Sequence, residues 1–178
     1  MTSTSSVSAT AISETGFGVR LAEECDAEAI ARVHTEVWRH TYTDLVAPEV
    51  LERHLSVENA TTRWSSRLAA ATETSPPVWV GVDPEGEIVA LGCSGPPRDP
   101  EHSAGWELWA INVLPRAQGT GLADLLMERL VGDQAAYLWV MDGNTRAITF
   151  YERHGFELDG LHQIDEDFGT IDLRMTRH

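Results

Sequence analysis

Residues 17–21 alternate apolar and polar side chains, and this period of two predicts a short strand. The period changes after Asp26. Ile30, Val33, His34, Val37 and Trp38 fall at i, i+3, i+4, i+7 and i+8, which predicts an amphipathic helix with Asp26 as its N-cap. Residues 41–45 are polar and aromatic and read as a turn. Pro48 suits the first turn of a second short helix through about Leu55. Residues 59–71 give a third helix, ended by Thr74-Ser75-Pro76-Pro77. The pattern then turns to strands. Residues 78–82 and 87–94 read as a pair joined by the turn Asp83-Pro84-Glu85-Gly86, and 105–114 as a third strand after a proline-rich loop. A helix over 120–131, a strand over 135–141, a helix over 144–154 closed by Gly155, and strands over 156–161 and 170–176 complete the chain. The order is strand, helices, three meandering strands, helix, strand, helix, two strands. It predicts an α/β fold with a mixed sheet rather than an all-parallel nucleotide-binding unit.

One stretch carries a chemical signal. Ile111-Asn112-Val113-Leu114 ends a strand at Pro115, which has no N–H for a ladder. Arg116-Ala117-Gln118-Gly119-Thr120-Gly121 follows, and Leu122, Leu125, Leu126 and Leu130 then repeat at helical spacing. Glycines let the backbone turn tightly and approach a ligand. The first helical turn presents unpartnered N–H groups at the positive end of its dipole. The stretch therefore reads either as an anion site or as a plain strand-to-helix turn. It lacks the third glycine and the parallel setting of a dinucleotide fingerprint, and the chain has no lysine for a nucleotide-phosphate loop.

Composition narrows the classes. The 178 residues suit one domain, with 1–16 as a flexible Ser/Thr/Ala-rich arm and 17–178 folded. Thirteen arginines stand against 28 acids, giving a net charge of −15. That balance argues against a nucleic-acid or anionic-membrane binder and leans towards a cationic or amine-bearing partner. Cys25 and Cys93 are too few for a disulfide framework, and a reduced, cytoplasmic setting is expected. No apolar run approaches the ~18–20 residues of a membrane span, and 1–16 lacks the features of a secretion signal. The seven histidines show no ligand spacing, so no metal is expected.

A second constellation settles the reading. In Leu138-Trp139-Val140-Met141-Asp142-Gly143-Asn144 a strand ends at an asparagine; a helix follows with Tyr151 seven residues on, and Gly155-Phe156 closes it. Together with Gln118-x-x-Gly121-x-Ala123, this resembles the GCN5-related N-acetyltransferase (GNAT) superfamily over roughly 17–176. The resemblance implies a twisted mixed sheet, flanked by helices, whose two central parallel strands (about 105–114 and 135–141) splay apart around acetyl-CoA. It implies that Ile111, Asn112 and Val113 pair through their backbone with the pantetheine and acetyl group. A splayed strand leaves N–H and C=O groups without ladder partners, and one such N–H can hold a thioester oxygen as it gains charge. By the same resemblance Gln118, Gly119, Thr120, Gly121, Leu122 and Ala123 hold the pyrophosphate, and Asn144 bonds to the pantetheine arm or positions water beside it. Arg116 either touches a phosphate or is a solvated loop charge.

Acetyl transfer to an amine needs two proton transfers. Tyr151 occupies the family's acid position, where a phenol protonates the departing thiolate. Glu107 is the candidate base, sharing the face of Ile111 if the strand keeps its period of two; the other reading is a solvated strand charge. The family's alternative glutamate position, five residues before Asn144, is Trp139 here. Asp142, or water beside a carbonyl or carboxylate, is the runner-up. Trp38, Tyr42 and Trp109 could line the acceptor pocket, although Trp38 also fits the apolar core stripe. The leading expectation is an acetyl-CoA-dependent N-acetyltransferase acting by direct transfer to a primary amine of a small molecule, a cationic amine included, or of a peptide, with a homodimer among the assemblies the family forms. The alternatives are a non-catalytic acyl-CoA-binding or sensing module on the same fold, and a nucleotide-phosphate binder.

Overall fold

The computed structural model describes residues 11–12, 15–70, 76–98 and 105–178. It is built on one eight-stranded mixed sheet in the order β1-β2-β3-β4-β5-β6-β8-β7. The strands are β1 (Ala11–Ile12), β2 (Gly18–Leu21), β3 (Val78–Val82), β4 (Ile88–Gly95), β5 (Glu107–Val113), β6 (Ala136–Met141), β7 (Glu157–Asp165) and β8 (Thr170–Arg177). Neighbours are antiparallel except β5 and β6, which run parallel. The expected meander and splayed centre are both present. The parallel register covers only Glu107↔Tyr137 and Leu108↔Leu138, and the two strands then part.

The helices are α1 (Ala27–Tyr42), α2 (Pro48–His54), α3 (Val57–Ala69), α4 (Leu122–Leu130) and α5 (Thr145–Arg153). The expected turn at 41–45 begins later, because α1 keeps its ladder through Tyr42. The third helix starts earlier than its apolar pattern, because the Ser56 hydroxyl caps it by accepting from Asn59 N–H at 3.2 Å. Asp26 precedes α1 as expected, but its carboxylate is spent elsewhere. It accepts from both Arg20 terminal nitrogens (2.6 and 3.0 Å) and from Glu23 N–H (2.8 Å). Burial pushes this carboxyl's pKa up, but the Arg20 and Glu23 bonds outweigh it and hold the group below the usual range. The final strand pair is longer than its apolar pattern, since β7 runs on to Asp165 with nearly every side chain exposed. Residues 1–10 and 13–14 of the expected arm lie outside the described residues; Ala11 and Ile12 pair with β2.

Two glycines set how closely α4 lies on the sheet. A Cβ on Gly81 would stand 2.8 Å from a Leu122 methyl and 2.9 Å from Ala90, and one on Gly92 would stand 2.4 Å from a Leu130 methyl. Both ends of α4 therefore sit where a side chain would be, which draws its N-terminal loop down onto the sheet. Leu122, Leu126, Met127 and Leu130 are buried there with Val80, Leu91, Leu108 and Leu138 in one core.

The face of Glu107 departs from expectation. Cys93 pairs with Ala110 while the next residue, Ser94, pairs with Leu108, so Trp109 is an extra residue in β5. This bulge turns Glu107 to the face opposite Ile111. The residue is 1% exposed, so it is not a solvated strand charge. Its carboxylate accepts from Arg98 N–H (2.7 Å), from Arg98 Nε (2.9 Å) and terminal nitrogen, and from the Tyr137 hydroxyl (2.9 Å).

Two stability changes follow from this packing. Gly92→Val overfills the α4 contact and should lower the unfolding free energy by about 1–3 kcal/mol. Glu107→Ala strands buried donors and should cost about 1–3 kcal/mol. Urea midpoints at constant m-value measure both, and unchanged midpoints would remove the packing account.

Candidate active site

The parting of β5 and β6 opens a cleft of about 970 Å³. Its walls combine the two stretches singled out in the sequence. Ile111, Asn112 and Val113 line it from β5, and Gln118, Gly119, Gly121 and Ala123 from the loop and first turn of α4. Asn144, Thr145, Arg146, Ala147 and Tyr151 line it from α5, and Thr41, Tyr42 and Asp44 close it from the end of α1.

The backbone of β5 explains why the cleft can hold an extended ligand. Leu114 N–H donates to Val89 C=O at 2.9 Å. Antiparallel alternation then turns the N–H and C=O of Asn112 towards β4, and those of Ile111 and Val113 towards the cleft. The Gln118 side-chain amide donates to Val113 C=O at 3.1 Å. This leaves Ile111 N–H, Ile111 C=O and Val113 N–H directed at the gap. Of the three backbone positions expected to meet a ligand, two face the cleft, and Asn112 offers its buried side chain instead.

The loop supplies donors at the other end. Gly119 and Gly121 take φ of 79° and 83°, which residues with a Cβ rarely adopt. The Thr120 hydroxyl donates to Ala117 C=O at 2.7 Å and closes the turn. The first N–H groups of α4 then point outwards at the positive end of its dipole. Arg146, on the first turn of α5, donates to the Gln118 side-chain oxygen and ties the loop to α5. Sequence reasoning missed Arg146, although a basic residue two positions after Asn144 was a visible signal. Arg116, the earlier charge candidate, pairs with Asp83 (3.2 Å) and Glu87 (3.1 Å) and stays exposed to solvent, away from the cleft wall.

Tyr151 is 9% exposed at the cleft wall. Burial, helped by nearby Tyr42, raises its pKa far above the ordinary phenol value, so the side chain keeps its proton. Asn144 caps α5, its side-chain oxygen accepting from Ala147 N–H at 3.3 Å, and its side chain also hydrogen-bonds Tyr42. Burial, Asp172 and Asn144 act together on Tyr42, and the net effect raises its pKa.

Other expected site residues lie apart. Tyr42 lines the cleft, whereas Trp38 and Trp109 do not. Trp38 packs into an aromatic wall, 5.2 Å from the His34 ring, 4.9 Å from Tyr42 and 5.0 Å from Phe168. Trp109 stands further along β5 against Arg67 and Arg98. Glu107 and Asp142 are also absent from the cleft wall, and Asp142 is exposed. Among the described residues no cluster of metal-ligating side chains occurs, and no helix is long and apolar enough to cross a membrane.

Comparison with known proteins agrees with this geometry. The chain is 27% identical over 169 residues to the uncharacterized N-acetyltransferase YuaI of Bacillus subtilis, covering 87% of this chain and 93% of that protein. In fold it is similar to the PaiA N-acetyltransferase of Thermoplasma acidophilum, solved in complex with coenzyme A. The TM-score is 0.70 at 16% identity, over 90% of this chain and 98% of that one. It is likewise similar to YncA of Salmonella typhimurium, solved with acetyl-CoA, with a TM-score of 0.65 at 20% identity over 90% and 92% of the two chains. The acetyltransferase (GNAT) family model matches residues 28–156, a span that takes in the splayed strands, the glycine loop and α5, and the chain belongs to that family.

Proposed function

We propose that the protein is an N-acetyltransferase that moves the acetyl group of acetyl-CoA directly to a primary amine. The observation that carries this reading is the pair of β5 residues, Ile111 and Val113, whose main-chain groups face the cleft beside a buried, protonated Tyr151. Solved relatives with coenzyme A or acetyl-CoA support the choice of acyl donor.

Acetyl-CoA supplies an activated thioester carbonyl. Ile111 N–H, Ile111 C=O and Val113 N–H hold the extended arm as an added strand would be held. A β5 N–H also stabilises the carbonyl oxygen as charge builds on it. Gly119, Thr120, Gly121, Leu122 and Ala123 offer backbone N–H groups to the pyrophosphate, and the positive charge of Arg146 adds to the α4 dipole there. Gln118 is a positioning residue in this reading, since both ends of its side chain are already engaged. Asn144 shapes the cleft through its cap and its bond to Tyr42, which leaves Tyr42 at the acceptor end. Tyr151 delivers its proton to the departing sulfur and recovers it from water. Glu107 holds β5 in place, and the attacking amine loses its proton to water at the mouth of the cleft.

A binding module on the same fold would keep the cleft without needing the acid. The test is thiol release from acetyl-CoA over a panel of primary amines. Turnover with at least one amine supports the enzyme, and acetyl-CoA binding without acetylation of any amine supports the module. Tyr151→Phe should lower kcat by roughly ten-fold or more while leaving acetyl-CoA affinity within a few-fold. Unchanged kcat would remove Tyr151 as the acid.

A further inference from the structure

The face of the sheet under α1 and α3 holds a guanidinium that no acid among the described residues balances. Trp109, the bulged residue of β5, has two guanidiniums at its ring. Arg67 Cζ stands 5.0 Å and Arg98 Cζ 5.7 Å from the ring centroid. Burial raises the pKa of the nearby Cys93 thiol, and the charges of the two arginines pull it back. Arg98 is neutralised by Glu107. Glu107 has no capacity for a second arginine, because Arg98 and Tyr137 already occupy both of its oxygens.

Arg67 has no such partner. No described residue gives it a hydrogen bond or an ion pair, and Glu58, at the start of α3 and at the far end of the helix from it, is the only acid in that helix. Two indoles hold it instead, Trp109 at 5.0 Å and Trp64 at 5.7 Å. Stacked rings orient a guanidinium and leave its planar fork of N–H donors free for a ligand.

Two unpartnered nitrogens belong to the same aromatic cluster. The Trp109 indole nitrogen is buried without a partner. The His34 ring stands 6.1 Å from Trp64, and its Nδ1 is buried without a partner. Burial and Arg63 together push the His34 pKa down to about 4, so a neutral imidazole faces this region near neutral pH. A guanidinium with no acid against it among the described residues, stacked on indoles beside an unpartnered indole N–H, matches a carboxylate, which accepts a planar bidentate fork. Placing such a site in a chain of net charge −15 runs against its overall field, so the arrangement is local.

The position gives the feature a use. Trp109 lies two residues before Ile111, about 7 Å along the strand from the backbone that faces the cleft. A carboxylate on Arg67 would leave the amine of a molecule the size of an amino acid near that point. We propose that Arg67, clamped by Trp64 and Trp109, binds the carboxylate of the acceptor, and that the acceptor is an amino acid or a close relative rather than a simple cationic amine. This rests on the acetyltransferase reading above and names its substrate class.

The test compares the proteinogenic amino acids with their carboxamides in the thiol-release assay, using the full chain. The wild type should prefer at least one acid over its amide by ten-fold or more in kcat/KM. In Arg67→Met that preference should collapse to near unity, through KM rather than kcat, with the KM for acetyl-CoA unchanged. Trp109→Phe keeps an aromatic face for Arg67, removes the indole N–H donor, and should raise the amino-acid KM several-fold. Equal use of acids and amides by the wild type would overturn the proposal while leaving acetyl transfer intact, as would a uniform loss on both classes in Arg67→Met. A readout free of catalysis separates the two readings. N-acetylated amino acids should perturb the tryptophan fluorescence of the wild type but not of Arg67→Met. If no amine is acetylated, the acetyltransferase reading fails, and this titration decides the carboxylate site alone: a response that needs Arg67 supports it, and none refutes it.

Discussion

The structure depends on a pairing that stops. β5 and β6 are hydrogen-bonded neighbours over Glu107↔Tyr137 and Leu108↔Leu138, and beyond that the ladder is open. Backbone groups in a sheet interior cannot be left without partners at no cost. Ile111 and Val113 carry that cost, which an extended ligand can offset. The gap persists because each strand is held from its other side. β5 is fully laddered to β4 as far as Val113, and β6 to β8 as far as Met141. The bulge at Trp109 and the buried Glu107–Arg98–Tyr137 network fix β5 at the point where it leaves β6.

The helices complete the site from opposite directions. Gly81 and Gly92 let α4 lie close to the sheet, which places its N-terminal donors at one end of the gap. The Asn144 cap starts α5 at the end of β6 and puts Tyr151 on its inner face two turns later. Arg146 joins the loop to α5 through Gln118, so the two walls are coupled. Charge is arranged locally: the molecule is strongly acidic, yet arginines stand at both the loop end and the Trp109 end.

The order of elements, the mixed sheet and the two cleft walls were legible in the sequence, because proline, the positive-φ glycines and helical leucine spacing are local signals. Tyr151 and the roles given to 118–123 came from the resemblance to the acetyltransferase family, carried by Gln118, Gly121, Asn144 and Tyr151 at their spacing. What was not legible depended on contacts between distant segments. A single inserted residue at Trp109 reversed the face of Glu107, and no periodicity argument can detect a bulge whose evidence lies in the register with β4. Trp38 and Trp109 were grouped by residue type, but α1 carries one into an aromatic wall and β5 carries the other to α3. Arg67 gave no signal at all, since its meaning comes from the indoles of Trp64 and Trp109 stacked on it in space.

The central claim is that the open edge of β5 holds the acyl donor. Amide hydrogen exchange at single-residue resolution, with and without acetyl-CoA, addresses it directly. The account predicts strong added protection at Ile111 and Val113, added protection across 119–123, and little change at Asn112, whose N–H the β4 ladder already holds. Unchanged exchange at Ile111 and Val113 in the presence of saturating acetyl-CoA would contradict it.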